Sequence, residues 1–302
     1  MASSSVALAG ATGNLGQPIL SALLAANHHV TVLSRIGGNS SKLSPHANLI
    51  VKEVDFSSVD SITPALSGVE VVISCVATLA IGSQNPLIDA SVAAGVRRFI
   101  PAEFGMDSQN ALAVALPVCA PKAATQQYLG KRSDGCPEFT WTSIANGLFL
   151  DWCLEMGLVA DLKSRTAVLY DGGDVKFSAT LLKDIASAVL GVIREQEKTT
   201  NRVVYVHSAA VTQNQLIKYA KDKDGNSWET TVKDISQVRE ESLARLARGG
   251  EAHVEAAMLG FSLCGCFSEE YGCDFTGRVD NDLLGVRQLD EEEIRALVVS
   301  LL

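Results

Sequence analysis

The 302-residue chain lacks any apolar run long enough to cross a bilayer. Its longest, Val69 to Ile81, is too short and is interrupted by Glu70 and Ser74. Met1 to Ser5 carries no basic leader region and Val6 to Leu8 reads as a strand, so no signal peptide is expected and the expected location is cytoplasmic. Basic residues are in deficit. The net charge of −9 disfavours a general binder of nucleic acid or of membrane surfaces, because like charges repel phosphate. The seven cysteines contain no C-x-x-C pair, and Cys264-Gly-Cys266 has no matching cysteine or histidine cluster. Reduced thiols and no metal site are the expectation. Two catalytic signatures are also missing. No serine stands in a G-x-S-x-G context, so a hydrolase triad is unsupported. Tyr128 is followed at the Y-x-x-x-K spacing by Arg132, whose guanidinium stays protonated and differs in shape from an ammonium. His28, His29 and His207 lack partners at any useful spacing and read as structural.

What is present begins at Ser5. The run S-V-A-L-A-G-A-T-G-N-L-G ends in a glycine triplet at Gly10, Gly13 and Gly16. Gln17 to Asn27 then has helical spacing, and His29 to Leu33 is a second apolar strand ending in Ser34-Arg35. Strand, glycine turn, helix and strand within about 30 residues is the layout of a dinucleotide-binding unit. The first glycine permits the sharp turn, the second lets backbone amides approach a pyrophosphate, and the third lets helix and strand pack closely. The helix N-terminus adds free N–H groups and a partial positive charge. Thr12, Asn14 and Leu15 lie in the same cradle. The acidic residue that grips the ribose 2′-hydroxyl of NAD is absent after the second strand. Ser34-Arg35 stands there instead, and a cation at that point suits the 2′-phosphate of NADP(H). Lys42, in a polar loop, is a second candidate cation.

Further along, strands are expected at 48–51, 69–76, 96–100 and 139–145, separated by helices at 61–66, 86–94 and 122–132. The nearly unbroken apolar run V-E-V-V-I-S-C-V is what a strand buried on both faces requires. The expected fold is therefore α/β: a Rossmann-like doubly wound parallel sheet over residues 1–150. A smaller, mostly helical substrate-side lobe is expected over 151–302, with a strand at 175–177, a helix at 181–194 and a strand at 202–206 returning toward the sheet. Helices are expected at 212–221, 234–247, 251–263 and 289–302. The apolar tail 296–302 suits either the lobe core or a homodimer interface.

Several segments carry a resemblance. V-R-R-F-I-P-A-E-F-G at 96–105 is similar to the V-x-R-F-x-P-S-E-F-G segment of the NmrA-like and isoflavone-reductase-like proteins, atypical short-chain dehydrogenases/reductases. S-I-A-N-G-L-F at 143–149 resembles their strand-to-loop segment beside the nicotinamide. Asp171-Gly172-Gly173, leading to Asp184-Ile185-Ala186, and the opening G-A-T-G-N-L-G fit as well. Together these cover about the first 210 residues, and a fungal-type member is the best fit. The plant reductases of this family carry a lysine at the start of the helix after the fifth strand, and Lys122 occupies that place after Pro121. A lysine there is poorly placed for helix stability, since the dipole repels a cation, so a facing oxygen explains it better. Asp107 to Cys119 departs from the plant pattern: it is more apolar and lacks the usual basic residue.

The resemblance implies an NADPH-dependent reductase of a small aromatic or conjugated substrate, of the isoflavone, phenylpropanoid, quinone or secondary-metabolite kind. The pyrophosphate is expected on residues 10–15 and the 2′-phosphate at Arg35 and Lys42. Phe56 is expected by the adenine, Val76-Ala77 along the ribose-phosphate chain, and Phe104 with Asn146-Gly147 at the nicotinamide. Lys122 is the expected general acid or charge stabiliser and is also expected against the cofactor, its ammonium facing a ribose hydroxyl, a substrate oxygen or a water. Phe104, Phe149, Trp152 and Phe177 are the expected pocket lining. Two other readings stay open: a non-catalytic NADP(H)-sensing regulator, and a redox-neutral isomerase or cyclase.

Overall fold

The computed structural model describes residues 3–302. Its first half alternates strand and helix: β1 (Ser5–Ala9), α1 (Gly16–Ala25), β2 (His29–Arg35), β3 (Leu49–Val54), α2 (Val59–Ile62), β4 (Val71–Ser74), α3 (Asn85–Ala93), β5 (Arg98–Ile100), α4 (Ala111–Val114), α5 (Ala120–Gly135) and β6 (Thr140–Ala145). The second half contains β7 (Leu148–Phe149), α6 (Leu150–Glu155), β8 (Thr166–Tyr170), β9 (Phe177–Thr180), α7 (Leu182–Arg194), β10 (Arg202–Tyr205) and β11 (Ala209–Val211). It ends with α8 (Gln213–Asp224), β12 (Glu229–Lys233), α9 (Ile235–Arg248), α10 (Glu251–Phe267), α11 (Asn281–Leu284) and α12 (Glu291–Ser300).

Seven strands form one parallel sheet in the order β10-β6-β5-β4-β1-β2-β3. Read from β3, this is the doubly wound order 3-2-1-4-5-6 with β10 added outside β6. Burial on both faces explains the sequence of the central strands: every residue of β4, and all of β1 after Ser5, is buried. One face is covered by α1, α7 and α11, where Ile19, Leu23, Ile185, Val189, Val192 and Leu284 meet Val6, Leu8 and Ile73. The other face is covered by α2, α3 and α5, with Ile62, Leu66, Ile88 and Leu129 against Ala7, Val72 and Phe99. The chain reverses winding direction between β1 and β4, so their C-terminal ends flank the crevice where open α/β sheets bind ligands.

A third core joins α6, α8, α9, α10 and α12 around Phe261, Phe267, Leu216 and Val298. The apolar tail contributes to it, with Ile294 and Val298 buried and Leu297, Leu301 and Leu302 packed alongside. The lobe also has two small sheets that periodicity did not foresee, β11-β9-β7 and the parallel pair β12-β8. β12 is exposed along four of its five residues, so no apolar alternation marks it as a strand. The strand expected at 175–177 lies instead at Phe177–Thr180. None of the helices among the described residues is long and apolar enough to cross a membrane.

Arg98 closes the sheet at the opposite edge from the crevice. It is buried without a carboxylate. Its Nε donates to Thr140 Oγ1 at 2.8 Å, one terminal nitrogen to Thr142 Oγ1 at 2.6 Å and Thr199 Oγ1 at 2.8 Å, and the other to the Gln196 carbonyl at 2.6 Å. Burial lowers its pKa to about 10, so it remains a cation at neutral pH, held by neutral oxygens alone. These bonds tie β5 and β6 to the turn between α7 and β10. Arg98→Met should cost about 3 kcal/mol, because it strands hydroxyls in a dry site. Urea unfolding measures this; a loss below about 0.5 kcal/mol would mean the hydroxyls find other partners.

Candidate active site

The glycine turn is built by close approach. Gly10 has φ of +81°, and a Cβ there would overlap the Cys75 carbonyl at the end of β4. A Cβ on Gly16 would overlap the Gly10 carbonyl. These two glycines are therefore demanded by the protein itself. Gly13 differs: it is exposed, and a Cβ there would meet only the Gly10 carbonyl at 3.4 Å, an ordinary contact. The Gly13 amide closes the turn on the Gly10 carbonyl at 3.1 Å. The amides of Asn14, Leu15 and Gly16 have no acceptor among the described residues. They form an anion cradle at the N-terminus of α1.

Arg35 is the last residue of β2 and is exposed, with no ion-pair partner among the described residues. Its carbonyl accepts the Gly38 amide at 2.8 Å and the Ser34 hydroxyl at 3.2 Å, so the turn after β2 is fixed while the guanidinium stays free. Lys42 ends a short 3-10 turn, Ser40–Lys42, and is likewise exposed. Ile36 is 71% exposed, the largest value among the big apolar side chains, beside a charge that has no partner. Sequence reading passed over it, because the exposure of one isoleucine is invisible in a linear pattern. Phe56 and Val76 pack on the opposite sheet face from α1, and Ala77 is exposed after β4.

The second half of the site is assembled on one carbonyl. Gly105 O accepts both the Asn146 and the Gly147 amides at 2.9 Å, and Gly105 bridges Ala145 in parallel register. This fastens the segment after β5 to the segment after β6. Phe104, with φ of +25°, packs in the same apolar cluster as Ala11 and Leu15 of the glycine turn, Cys75 and Phe149. Phe149 and Trp152 meet edge-on at 6.4 Å, both half-buried. Gly147 has φ of +64° against the Ser178 carbonyl.

Phe177 does not join this group. Its ring is wholly buried and packs edge-on against Phe267 at 4.9 Å, inside the lobe core. Starting β9 rather than ending a strand directs it into the core, so it offers no surface for a pocket lining. Two cavities, of about 200 Å³ beside Tyr170, Lys233 and Glu241 and about 290 Å³ beside Asn85, Pro121 and Tyr128, touch neither the glycine turn nor Phe149 and Trp152.

Lys122 is the third residue of α5, with Pro121 before it, since the helix begins two residues earlier than its spacing suggests. It is buried, and its Nζ donates to the Glu103 carbonyl. A Cβ on Gly105 would lie 3.0 Å from that Nζ, so this glycine leaves the ammonium room at the junction of the two segments. The Glu103 side chain is buried too. Its Oε2 accepts from Gln126 Nε2 at 2.8 Å and its Oε1 has no partner. Burial holds this carboxyl above its ordinary value, opposed by the Lys122 charge and by the Ser108 and Gln126 hydrogen bonds. Asp107 accepts from Arg278 at 2.8 Å and from the Tyr205 hydroxyl at 3.0 Å. Glu103, Ser108 and Gln126 received no role from the sequence. The one available signal was spacing: Lys122 and Gln126 are four apart and share a helix face.

A model of the NmrA-like family matches residues 2–262. This chain belongs to the NmrA-like family. An oxidoreductase from Penicillium oxalicum, poxI, is 31% identical over 97% of the chain and 93% of its own length. A phenylcoumaran benzylic ether reductase from Pinus taeda is 30% identical over 69% of the chain and 70% of its own. The fold matches that of a leucoanthocyanidin reductase–NADPH complex from Vitis vinifera, with a TM-score of 0.75 at 19% identity, covering 98% and 99% of the two chains. In this NmrA-like chain the three turn glycines should separate experimentally. Gly13→Ala should keep stability within about 0.5 kcal/mol while weakening NADPH binding tenfold or more. Gly10→Ala should lower the melting temperature as well. Calorimetry with parallel NADPH titration reads both, and equal melting temperatures for the two variants would refute the distinction.

Proposed function

We propose that this chain is an NADPH-dependent reductase of a small aromatic or conjugated substrate, with Lys122 as general acid or charge stabiliser. The observation that carries this reading is the buried Lys122 ammonium, held at the meeting point of the Glu103–Gly105 and Asn146–Gly147 segments. A buried cation is costly to desolvate. Its placement there is explained if it faces developing negative charge, and a passive cofactor sensor would have no use for it. The residues present fit the cofactor: the free amides at the N-terminus of α1, and the unpaired Arg35 suited to a 2′-phosphate. NADPH, when bound, supplies the hydride.

The chain's own residues do the rest. The amides of residues 14–16 hold the pyrophosphate. Arg35, with Lys42 nearby in sequence, selects the 2′-phosphate. Phe56 lies by the adenine and Val76-Ala77 by the ribose-phosphate chain. Phe104, Asn146 and Gly147 border the reacting ring. Phe149 and Trp152 offer aromatic faces to the substrate and exclude water, and Lys122 gives a proton or fixed positive charge to the substrate oxygen. The aromatic class of substrate is supported by the names of the relatives, the phenylcoumaran and leucoanthocyanidin reductases.

Arg35→Asp should cut the preference for NADPH over NADH by about 100-fold, since it exchanges a charge-assisted phosphate contact for repulsion. Steady-state kinetics with both cofactors measures it, and an unchanged ratio would place phosphate reading elsewhere. Lys122→Ala should lower kcat by 100-fold or more and leave NADPH affinity within threefold; near-normal turnover would remove Lys122 from the chemistry.

A further inference from the structure

Resting on the reductase reading, we infer that Arg278 is a positioning residue for Lys122, acting through a bracket formed by residues 106–110. Arg278 lies past residue 262, where the NmrA-like match ends. Its guanidinium donates to the buried Asp107 carboxylate at 2.8 Å and to the Gly272 carbonyl at 2.9 Å. It also lies 4.4 Å from the centre of the Tyr205 ring and 5.1 Å from that of Phe275. Two acceptors and two aromatic faces fix the planar cation in one orientation.

Asp107 carries that anchorage inward. Its other oxygen accepts the Tyr205 hydroxyl at 3.0 Å and the Gln109 amide at 2.9 Å. Its neighbours fasten the same stretch to the lobe. Asn110 Nδ2 donates to the Glu270 carbonyl at 3.0 Å, and a Cβ on Gly265 of α10 would overlap the Met106 sulfur. Residues 106, 107 and 110 thus hold to the C-terminal part of the chain, while 108 and 109 reach α5. Ser108 Oγ accepts from Gln126 Nε2 at 2.7 Å, and Gln109 donates to Gln126 Oε1. Gln126 follows Lys122 by one turn on the same face of α5. Its Nε2 also donates to the Glu103 carboxyl, and the main-chain oxygen of Glu103 accepts from the Lys122 ammonium. An unbroken run of hydrogen bonds therefore leads from Arg278 to that ammonium.

The bracket needs this anchor because it is a loop, and loops move unless they are tied. Asp107 makes the tie sensitive to one residue. Without the guanidinium its carboxylate would be left buried and uncompensated, and it would move toward water. Ser108 and Gln109 would go with it, freeing Gln126 and the first turns of α5. A displacement of about 1 Å at a reacting group is enough to slow chemistry severely.

The test is Arg278→Met, which keeps an apolar stem against the two rings and removes the charge. Its kcat should fall about tenfold, with NADPH affinity within about twofold of wild type, because the glycine turn is held by other contacts. Gln126→Met should lower kcat too, and the double variant should be no slower than the slower single, since both cut one chain of contacts. If Arg278 is merely structural, its loss lowers the melting temperature but leaves kcat well below that temperature within about twofold. That result overturns the inference, as does full additivity of the two changes. If Arg278→Met fails to fold, the pair Ser108→Ala and Gln109→Ala removes the bonds to α5, leaves the buried ion pair intact, and is held to the same outcome in kcat. Failure of the reductase reading is separate: it shows as wild-type protein that binds NADPH but never oxidises it. Amide hydrogen exchange then reads the bracket directly. Exchange at residues 120–126 should quicken about tenfold in Arg278→Met while β1 and β4 stay unchanged, and unaltered exchange at 120–126 overturns the inference.

Discussion

The site depends on one carbonyl. Gly105 O takes two amides, from Asn146 and Gly147, and so welds the segment after β5 to the segment after β6. Without that join, the sheet would still stand, because its strands are paired along their length. The arrangement around Lys122 would not. Phe104 would lose its place beside the glycine turn, Gly147 its register against β9, and Lys122 the backbone to which it is tied. A single acceptor thus converts loop ends, which usually move, into a fixed wall. Glycine is suited to this position because its missing side chain leaves room for the ammonium.

The two ends of the site are made by different physics. At the glycine turn, backbone packs on backbone: β1, β4 and α1 come so close that only hydrogen fits at Gly10 and Gly16. At Lys122, polar side chains are drawn into a dry place and held there by a chain of hydrogen bonds through Glu103, Gln126 and Ser108. The first arrangement is rigid and generic to dinucleotide folds. The second is expensive, because polar groups give up water to enter it.

Much of the fold was legible because buried parallel strands announce themselves. V-V-I-S at β4, and Gly10 and Gly16 of the turn, follow from close packing, which leaves a trace in residue type. The NmrA-like resemblance in P-A-E-F-G and S-I-A-N-G was legible for the same reason, since those segments make the Gly105 join. What stayed hidden depends on partners distant in sequence. β12 exists because β8 lies beside it, not because of its own pattern. Phe177 reads as an aromatic free to line a pocket until Phe267, ninety residues on, closes over it. Glu103 reads as one letter of a motif until Gln126 and Lys122 fold back on it.

The central claim is that hydride leaves the cofactor at this site and that Lys122 assists. Incubating the protein with NADPH deuterated at C4 and a panel of enones, quinones and phenylpropanoid-like compounds, then weighing the products, tests it most directly. The account predicts one deuterium in one product, at a single carbon, lost in Lys122→Ala. NADPH that binds with its phosphate selectivity intact yet transfers no deuterium to any of them would contradict it.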